Sequence, residues 1–217
     1  MAAPVVAAKG TSQSKWALLI VIASTIFVGD QVSKFLAVKD LTSLFSSVNA
    51  RSLPDELRAF VQQRDLLQRD LELPPRRVID SVWQWRYTQN RAAAFGLLSF
   101  VPENLRIWLF HLITIAAAIF IIFFYRQLQP DQWVMRVTLA LLLGGALGNG
   151  LDRVLHGYVI DFIDWHWFDP QWRNPGLHWP TFNVADCGVS VGMVLLLLHS
   201  FFAKSPGAQP APGKRSA

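Results

Sequence analysis

The segment WVMRVTLALLLGGALGNGLDRV, residues 133–154, decides the fold class of this chain. It is long enough to cross a hydrocarbon core, which takes about 20 residues of helix. Gly144 and Gly148 form a small-xxx-small step, the pattern that lets two helices approach closely in lipid. Three polar residues follow at spacings of three and four, so they share one helical face near the end of the segment. They are Asn149, Asp152 and Arg153.

Three further segments are long enough, or nearly so, to span a membrane, namely residues 16–35, 105–125 and 184–202. Hydrophobic residues make up 52% of the chain and charged residues 16%, and a soluble domain usually carries more charge. No small-residue cleavage site follows the long first segment, so we expect it to stay as an anchor. These features predict an all-α polytopic membrane protein with four transmembrane helices.

Basic residues near the ends of the spans predict the topology, because they collect on the cytoplasmic side. The residues before the first span and after the last include five Lys or Arg and no Asp or Glu. We therefore expect both termini in the cytoplasm and a site near the outer face. The predicted organisation is a tail over residues 1–15, a membrane domain over 16–203 and a disordered tail over 204–217.

The segment between helices one and two predicts a small outer subdomain, with an insertion over about residues 43–82. Residues 52–73 approximate a helical stripe that stops at Pro74 and Pro75, which indicates an amphipathic helix on the membrane surface or on the protein. Residues 83–88 alternate large aromatic with polar side chains, the period of a half-buried strand. We expect this extracytoplasmic subdomain to contain β-structure.

Acidic and amide side chains gather at the ends of the apolar segments. Asn183 and Asp186 repeat the i, i+3 arrangement at the start of the fourth helix, and Asp161 lies between helices three and four. An ionised side chain at membrane depth costs on the order of 2.5 to 3.5 kcal/mol, so several in one region indicate a site. We expect a shared, partly wet pocket.

Two pairs of charged residues could stabilise the fold as ion pairs instead of taking part in the site. Asp152 and Arg153 could form an ion pair with another helix. Asp30 and Lys34 lie i, i+4 at the end of helix one, where a stabilising ion pair is as reasonable as a substrate contact.

The remaining composition argues against several classes of site. A single cysteine, Cys187, excludes an intramolecular disulfide framework, and we interpret it as a small apolar helix residue rather than a nucleophile. The five histidines have no short metal-ligand spacing, so we expect no metal and no cofactor. The net charge is +5, but the basic residues lie in the tails and in a loop of mixed charge. We therefore expect no nucleic-acid partner.

Five motifs stand in one order between residues 16 and 202. They are Asp30-Gln31-Val32-Ser33-Lys34, Asn90-Arg91-Ala92-Ala93-Ala94-Phe95-Gly96, Gly144-Gly145-Ala146-Leu147-Gly148-Asn149 with Asp152-Arg153, Val159-Ile160-Asp161-Phe162, and Phe182-Asn183-Val184-Ala185-Asp186. Together they resemble the bacterial lipoprotein signal peptidases, also called signal peptidase II. The resemblance implies a multi-pass aspartic endopeptidase of the bacterial inner membrane, which removes the signal peptide of a prolipoprotein just before a cysteine that carries diacylglycerol.

The resemblance also implies residue roles. Asp161 and Asp186 would form a catalytic dyad that activates water without a cofactor. Four residues would orient the substrate and the dyad, and they are Asn90, Asn149, Arg153 and Asn183. Asp152 would pair with Arg153, and Asp30 with Lys34 would support the site. The implied partners are prolipoproteins with a diacylglyceryl-cysteine and membrane lipid, and we expect a monomer.

The chain departs from the family pattern at Ala92, where glycine is usual, and in a longer interval between the two dyad aspartates. That interval is rich in tryptophan, and we expect its indoles at the membrane interface beside the substrate entrance. They are Trp165, Trp167, Trp172 and Trp179. Asp164, three residues after Asp161, is a rival for the same place in the dyad. We expect Asp164 to be a neighbouring solvated group. The alternative functions are a small transporter or proton conductor and a non-catalytic scaffold.

Overall fold

The computed structural model describes residues 10–63, 71–79, 82–92, 100–167 and 179–202. Among these residues, six helices and three strands follow in chain order. They are α1 (Gly10–Leu41), α2 (Leu44–Ser47), α3 (Leu53–Val61), β1 (Arg76–Ile79), β2 (Trp83–Asn90), α4 (Glu103–Gln127), α5 (Trp133–His156), β3 (Val159–Trp165) and α6 (Val184–Phe202). Residues 1–9 and 203–217, which hold most of the two predicted tails, lie outside the described ranges.

Four of these helices are long and apolar enough to cross a membrane, as the sequence predicts. They are α1, α4, α5 and α6. Half of the apolar window of α5 is buried inside the protein, against 17% or less in the other three. Helix α5 is therefore the centre of the bundle, and it packs against α1, α4 and α6.

Glycines set how closely α5 approaches its neighbours. A Cβ atom added to Gly145 would lie 2.5 Å from the carbonyl oxygen of Ala185 and 2.6 Å from Cγ2 of Val189, both on α6. A Cβ atom on Gly144 would lie 2.7 Å from the carbonyl oxygen of Ala23 on α1, and one on Gly148 would lie 3.2 Å from Cβ of Ala185 on α6, so both members of the small-xxx-small step lie at close helix contacts. Gly157 ends α5 with φ of 78°, a left-handed conformation that glycine adopts without strain, and this turn leads the chain into β3.

A three-stranded antiparallel sheet, in the order β1-β2-β3, covers one end of the bundle, which we call the sheet end. Strand β2 includes the predicted strand over residues 83–88 and runs on to Asn90. Strand β3 pairs with β2 so that Asp161 stands opposite Thr88 and Asp164 opposite Gln84. Successive strand residues point to opposite faces of a sheet, so Asp161 and Asp164 face opposite ways.

The insertion begins directly after α1 and packs on the sheet end. Phe45 of α2 and Phe60 of α3 join a buried cluster that also contains Tyr158 and Phe162. The predicted helix over residues 52–73 is wrong at its C-terminal end, because Glu72 forms a β-bridge with Thr42 instead. Backbone pairing with the end of α1 draws this part of the chain into an extended form, and residues 64–70 lie outside the described ranges.

We expect Gly145→Ala to destabilise the protein by about 1–3 kcal/mol, because the added methyl group meets the backbone of α6. Gly29→Ala on α1 is the matched control, since a Cβ there meets nothing within 4 Å. The control should be neutral or slightly stabilising. Thermal unfolding in detergent micelles measures both, and an equal loss in the two variants would contradict this account of the packing.

Candidate active site

A groove of about 1090 Å³ at the sheet end contains the two aspartates that the sequence singles out. Asp161 enters it from the middle of β3 and Asp186 from the first turn of α6. The groove runs from Thr181, between the sheet and α6, to Val191 within the apolar span of α6. The predicted pocket is therefore present, and it reaches from the sheet to the lipid-facing part of the bundle.

Amide side chains hold both oxygens of Asp161. Nδ2 of Asn90 donates to Oδ2 at 2.9 Å, and Nδ2 of Asn183 donates to Oδ1 at 2.7 Å. The carboxyl is 1% exposed. Because these donors come from β2 and from the start of α6, the sheet and the helix bundle fix its position together.

Asp186 is held by a reciprocal cap at the start of α6. Its backbone N–H donates to Oδ1 of Asn183 at 2.9 Å, while its own Oδ2 accepts the backbone N–H of Asn183 at 3.2 Å. This is the geometry of a capping box, built here with Asn and Asp, and it explains the i, i+3 spacing in the sequence. Nδ2 of Asn149 on α5 donates to Oδ1 of Asp186 at 2.7 Å. Asn183 therefore contacts both aspartates.

The surroundings of Asp161 favour its protonated form. Burial raises the pKa of this carboxyl, and the charge of Asp186 raises it further, to about 8. The hydrogen bonds from Asn90 and Asn183 oppose the rise without cancelling it. These surroundings shift Asp161 toward its protonated form, as expected for one of two carboxyls that share a groove.

A buried ion triplet lies behind the two aspartates. Nζ of Lys34 is 2.7 Å from Oδ2 of Asp30 and 2.8 Å from Oδ2 of Asp152, and all three side chains have no exposed surface. Lys34 also donates to Oδ1 of Asn149 at 3.1 Å. The short ion pair of Asp152 is with Lys34, which reaches it from α1, while Arg153, the partner we expected, is attracted by the charge of Asp152 without such a pair.

The triplet also fixes the backbone next to each groove aspartate. Oδ1 of Asp30 accepts the backbone N–H of Ala185 at 2.9 Å, one residue before Asp186. Oδ2 of Asp152 accepts the backbone N–H of Ile160 at 3.0 Å, one residue before the aspartate of β3. Asp30 and Asp152 therefore position the groove from behind and do not line it.

Arg153 lies in the groove, where the charges of Asp152, Asp186 and Asp161 attract its guanidinium group and its closest contacts are with neutral groups. Its guanidinium carbon is 4.3 Å from the ring centroid of Phe110 on α4, and its Nη1 donates to the carbonyl oxygen of Asn149 at 3.2 Å. An arginine has five N–H donors, so several are available to a molecule in the groove.

Asp164 differs from its predicted setting. It is 1% exposed rather than solvated, and it accepts a hydrogen bond of 2.5 Å from Nε2 of Gln84 across the sheet. The strand alternation that places Asp161 in the groove directs Asp164 to the other face. It does not line the groove.

Three features of the site are absent from the predicted residue set or lie at its edge. Gln31 donates to Oδ1 of Asp152 at 3.0 Å and to the carbonyl oxygen of Gly148, and its sequence signal is its place in the motif Asp30-Gln31-Val32-Ser33-Lys34. Arg106 lines the groove from the first turn of α4. Trp165 and Trp179 also line it and are about half exposed, at 48% each. Trp172 lies outside the described residues.

Within the described ranges, no group of three or more His, Cys, Asp or Glu side chains is arranged to hold a metal ion. The polar side chains that line the groove include carboxylates, amides, guanidinium groups and hydroxyls. The carboxylates can exchange protons, and the other groups can form hydrogen bonds with a bound molecule.

Comparison with known proteins finds one matching family, Signal peptidase (SPase) II, whose sequence model matches residues 22–202. A lipoprotein signal peptidase from Anaeromyxobacter sp. (strain Fw109-5) is 41% identical over 204 residues, which covers 94% of this chain and 91% of the relative. A lipoprotein signal peptidase from Syntrophotalea carbinolica is 42% identical over 121 residues, covering 56% of this chain and 70% of the relative.

A solved structure described as a bacterial membrane enzyme, at 2.3 Å resolution, is similar with a TM-score of 0.57 and 26% sequence identity. The similarity covers 88% of this chain and 93% of the other. The four-helix bundle with its small sheet is therefore an architecture already seen in a membrane enzyme.

We expect Lys34→Met to lower the free energy of unfolding by about 3–5 kcal/mol, because two buried carboxylates lose their counter-ion. Lys39→Met is the matched control on the same helix. Lys39 pairs with Glu56 at 2.9 Å but keeps 46% of its side chain exposed, so its loss should cost at most about 1 kcal/mol. Unfolding in micelles measures both variants, and equal losses would show that the triplet does not hold the site.

Proposed function

The chain belongs to the signal peptidase II family, a family of proteases that cleave signal peptides from lipoproteins, and we propose that it works as an aspartic endopeptidase. Asp161 and Asp186 are the proposed catalytic dyad. The observation that carries this proposal is the pair of carboxyls in one groove, joined through Asn183, which donates to both.

The proposed reaction begins with one proton on the dyad. Asp161 holds it and transfers it to the scissile carbonyl oxygen, while ionised Asp186 removes a proton from a water molecule. The water oxygen attacks the carbonyl carbon and gives a tetrahedral intermediate. Asp186 then passes its proton to the departing amine nitrogen as the C–N bond breaks, and the proton returns to Asp161 as the new carboxyl forms. No atom or charge is left over, and no cofactor is needed.

The neighbouring residues support this division of roles. Asn90 and Asn183 hold the oxygens of Asp161, so its hydrogen-bonding direction is set by the protein rather than by solvent. Asn149 holds Asp186 from the opposite side. Arg153 is the proposed donor to the substrate backbone, because it lies in the groove with unfilled N–H groups.

The proposed substrate is a prolipoprotein whose cysteine already carries diacylglycerol, cut just before that cysteine. The groove supports this specificity because it continues past the dyad to Val189 and Val191 on α6. Val191 is 52% exposed on an apolar span, so the groove opens toward lipid and a lipid-modified peptide can enter sideways. Both aspartates come from one chain, so a monomer suffices.

We propose the bacterial inner membrane as the location, with both termini in the cytoplasm and the sheet end outside. The basic residues before Trp16 and after Phe202 support this orientation. A signal peptide that has crossed the membrane presents its cleavage site on that side.

A proton-conducting or transport role is less consistent with the charges. A relay needs ionisable groups through the depth of the bundle. Helix α5 has none between Arg136 in its first turn and Asp152 near its end, a separation of about 24 Å along the axis. A scaffold would leave the groove carboxylates without a role.

We expect Asp161→Asn and Asp186→Asn each to reduce cleavage of a diacylglyceryl-modified prolipoprotein by at least about 100-fold, because each removes an acid–base group and keeps the side-chain shape. Cleavage in liposomes, followed by mass analysis of both products, measures this loss. Asp164→Asn is the control, since that side chain points to the other face of the sheet. An inactive Asp164→Asn with an active Asp161→Asn would redraw the dyad.

A further inference from the structure

Helix α3 presents three distinct faces within nine residues. Ala59 and Phe60 are buried against the protein, at 4% and 6% exposure. Asp55 and Arg58, with Gln62 just beyond the end of the helix, form an exposed polar face. Between these two faces lies an apolar face that nothing in the described structure covers.

The uncovered apolar face is a row of residues four apart. Leu53, Leu57 and Val61 are 60%, 47% and 47% exposed. Residues four apart lie above one another on a helix, so the three side chains form one stripe along the whole of α3. A water-soluble surface helix would carry polar residues on its exposed face.

The contacts of Phe60 place α3 beside the membrane spans. Its ring lies 5.6 Å from that of Phe35 on α1 and 5.4 Å from that of His156 on α5, both measured between ring centroids. Phe35 and His156 both belong to apolar spans. One turn earlier in α3, Glu56 pairs with Lys39, which lies one turn beyond Phe35 on α1. Helix α3 therefore runs back along α1, toward the middle of the bundle.

The apolar row of α3 continues a lipid-facing surface of α1. Val28, Val32 and Leu36 are 54%, 52% and 50% exposed and form a row of the same spacing on α1. Lys39 follows Leu36 on that face and contacts Glu56. This ion pair holds α3 beside the end of the α1 row, and a boundary lysine with an apolar stem suits the level of the headgroups.

We propose that α3 docks into the lipid at the sheet end of the bundle, with Leu53, Leu57 and Val61 facing acyl chains and the polar face toward water. The occupant of this surface is lipid rather than another protein, because the row continues a face of α1 that already lies in the membrane. Docking would seat the sheet and the groove at a fixed height above the bilayer. This inference concerns a surface outside the groove and does not depend on the proposed catalytic chemistry.

Site-directed spin labelling tests the docking in lipid vesicles. In a Cys187→Ala background, nitroxides would be placed by Leu57→Cys and Val61→Cys on the apolar face, and by Arg58→Cys and Gln62→Cys on the polar face. The quantity measured is the ratio of collision rates with oxygen, which is enriched in lipid, to those with a water-soluble nickel chelate. We expect a severalfold higher ratio on the apolar face, rising from position 57 to position 61.

Val32→Cys on α1 supplies the benchmark for a lipid-facing label. If positions 57 and 61 give the ratio of positions 58 and 62 while position 32 gives a lipid value, α3 does not dock and the proposal is overturned.

A label-free comparison covers the case in which a nitroxide disturbs the helix. Leu57→Ser with Val61→Ser should lower the unfolding temperature in vesicles, since two hydroxyl groups would enter lipid. Arg58→Ser with Gln62→Ser should leave it nearly unchanged. An unchanged unfolding temperature in the first double variant would also overturn the proposal.

Discussion

The burial of carboxylates at one end of an apolar helix bundle is the constraint on which the rest of this structure depends. An ionised carboxylate away from water is costly unless it is paired, hydrogen-bonded or protonated. The protein uses all three solutions within one region. Lys34 forms an ion pair with both Asp30 and Asp152, amides bind the oxygens of Asp161 and Asp186, and burial raises the pKa of Asp161 so that its protonated form is favoured. The first solution builds a fixed support, and the other two leave a pair of groups that can still exchange a proton.

The support and the pair are connected through the backbone. Each buried carboxylate of the triplet binds an N–H group one residue before one of the two groove aspartates, so β3 and α6 are tied to the same lysine on α1. Close approach of the helices makes this possible. A Cβ atom on Gly148 would lie 2.6 Å from Oδ2 of Asp30, so this position on α5 must lack a side chain for the triplet to form. The glycines of the packing motif and the charges of the site are therefore parts of one arrangement.

Much of this could be predicted from the sequence, because apolar spans and family motifs are local signals. The four helices and the strand at residues 83–88 are found, and Asp161 and Asp186 line one groove. The predictions that the structure corrects depend on residues that are distant in the chain. Asp152 and Arg153 are neighbours with opposite charges, yet Lys34, more than a hundred residues earlier, takes the aspartate. The sequence indicates a solvated Asp164 because it does not show that β3 pairs with β2. This pairing buries Asp164 against Gln84. The helix after residue 52 is shorter than predicted because Glu72, which the predicted helix included, pairs with Thr42 directly after α1.

The most direct test of this account is the protonation state of Asp161, measured by infrared spectroscopy of the carboxyl C=O stretch in lipid vesicles. The account predicts a protonated-carboxyl band at neutral pH that is absent in Asp161→Asn, is retained in Asp164→Asn, and disappears as the pH rises through about 8. Spectra of the wild type and Asp161→Asn that coincide throughout this pH range would contradict it. Asp161 would then be ionised beside Asp186, and the shared-proton dyad would have to be abandoned.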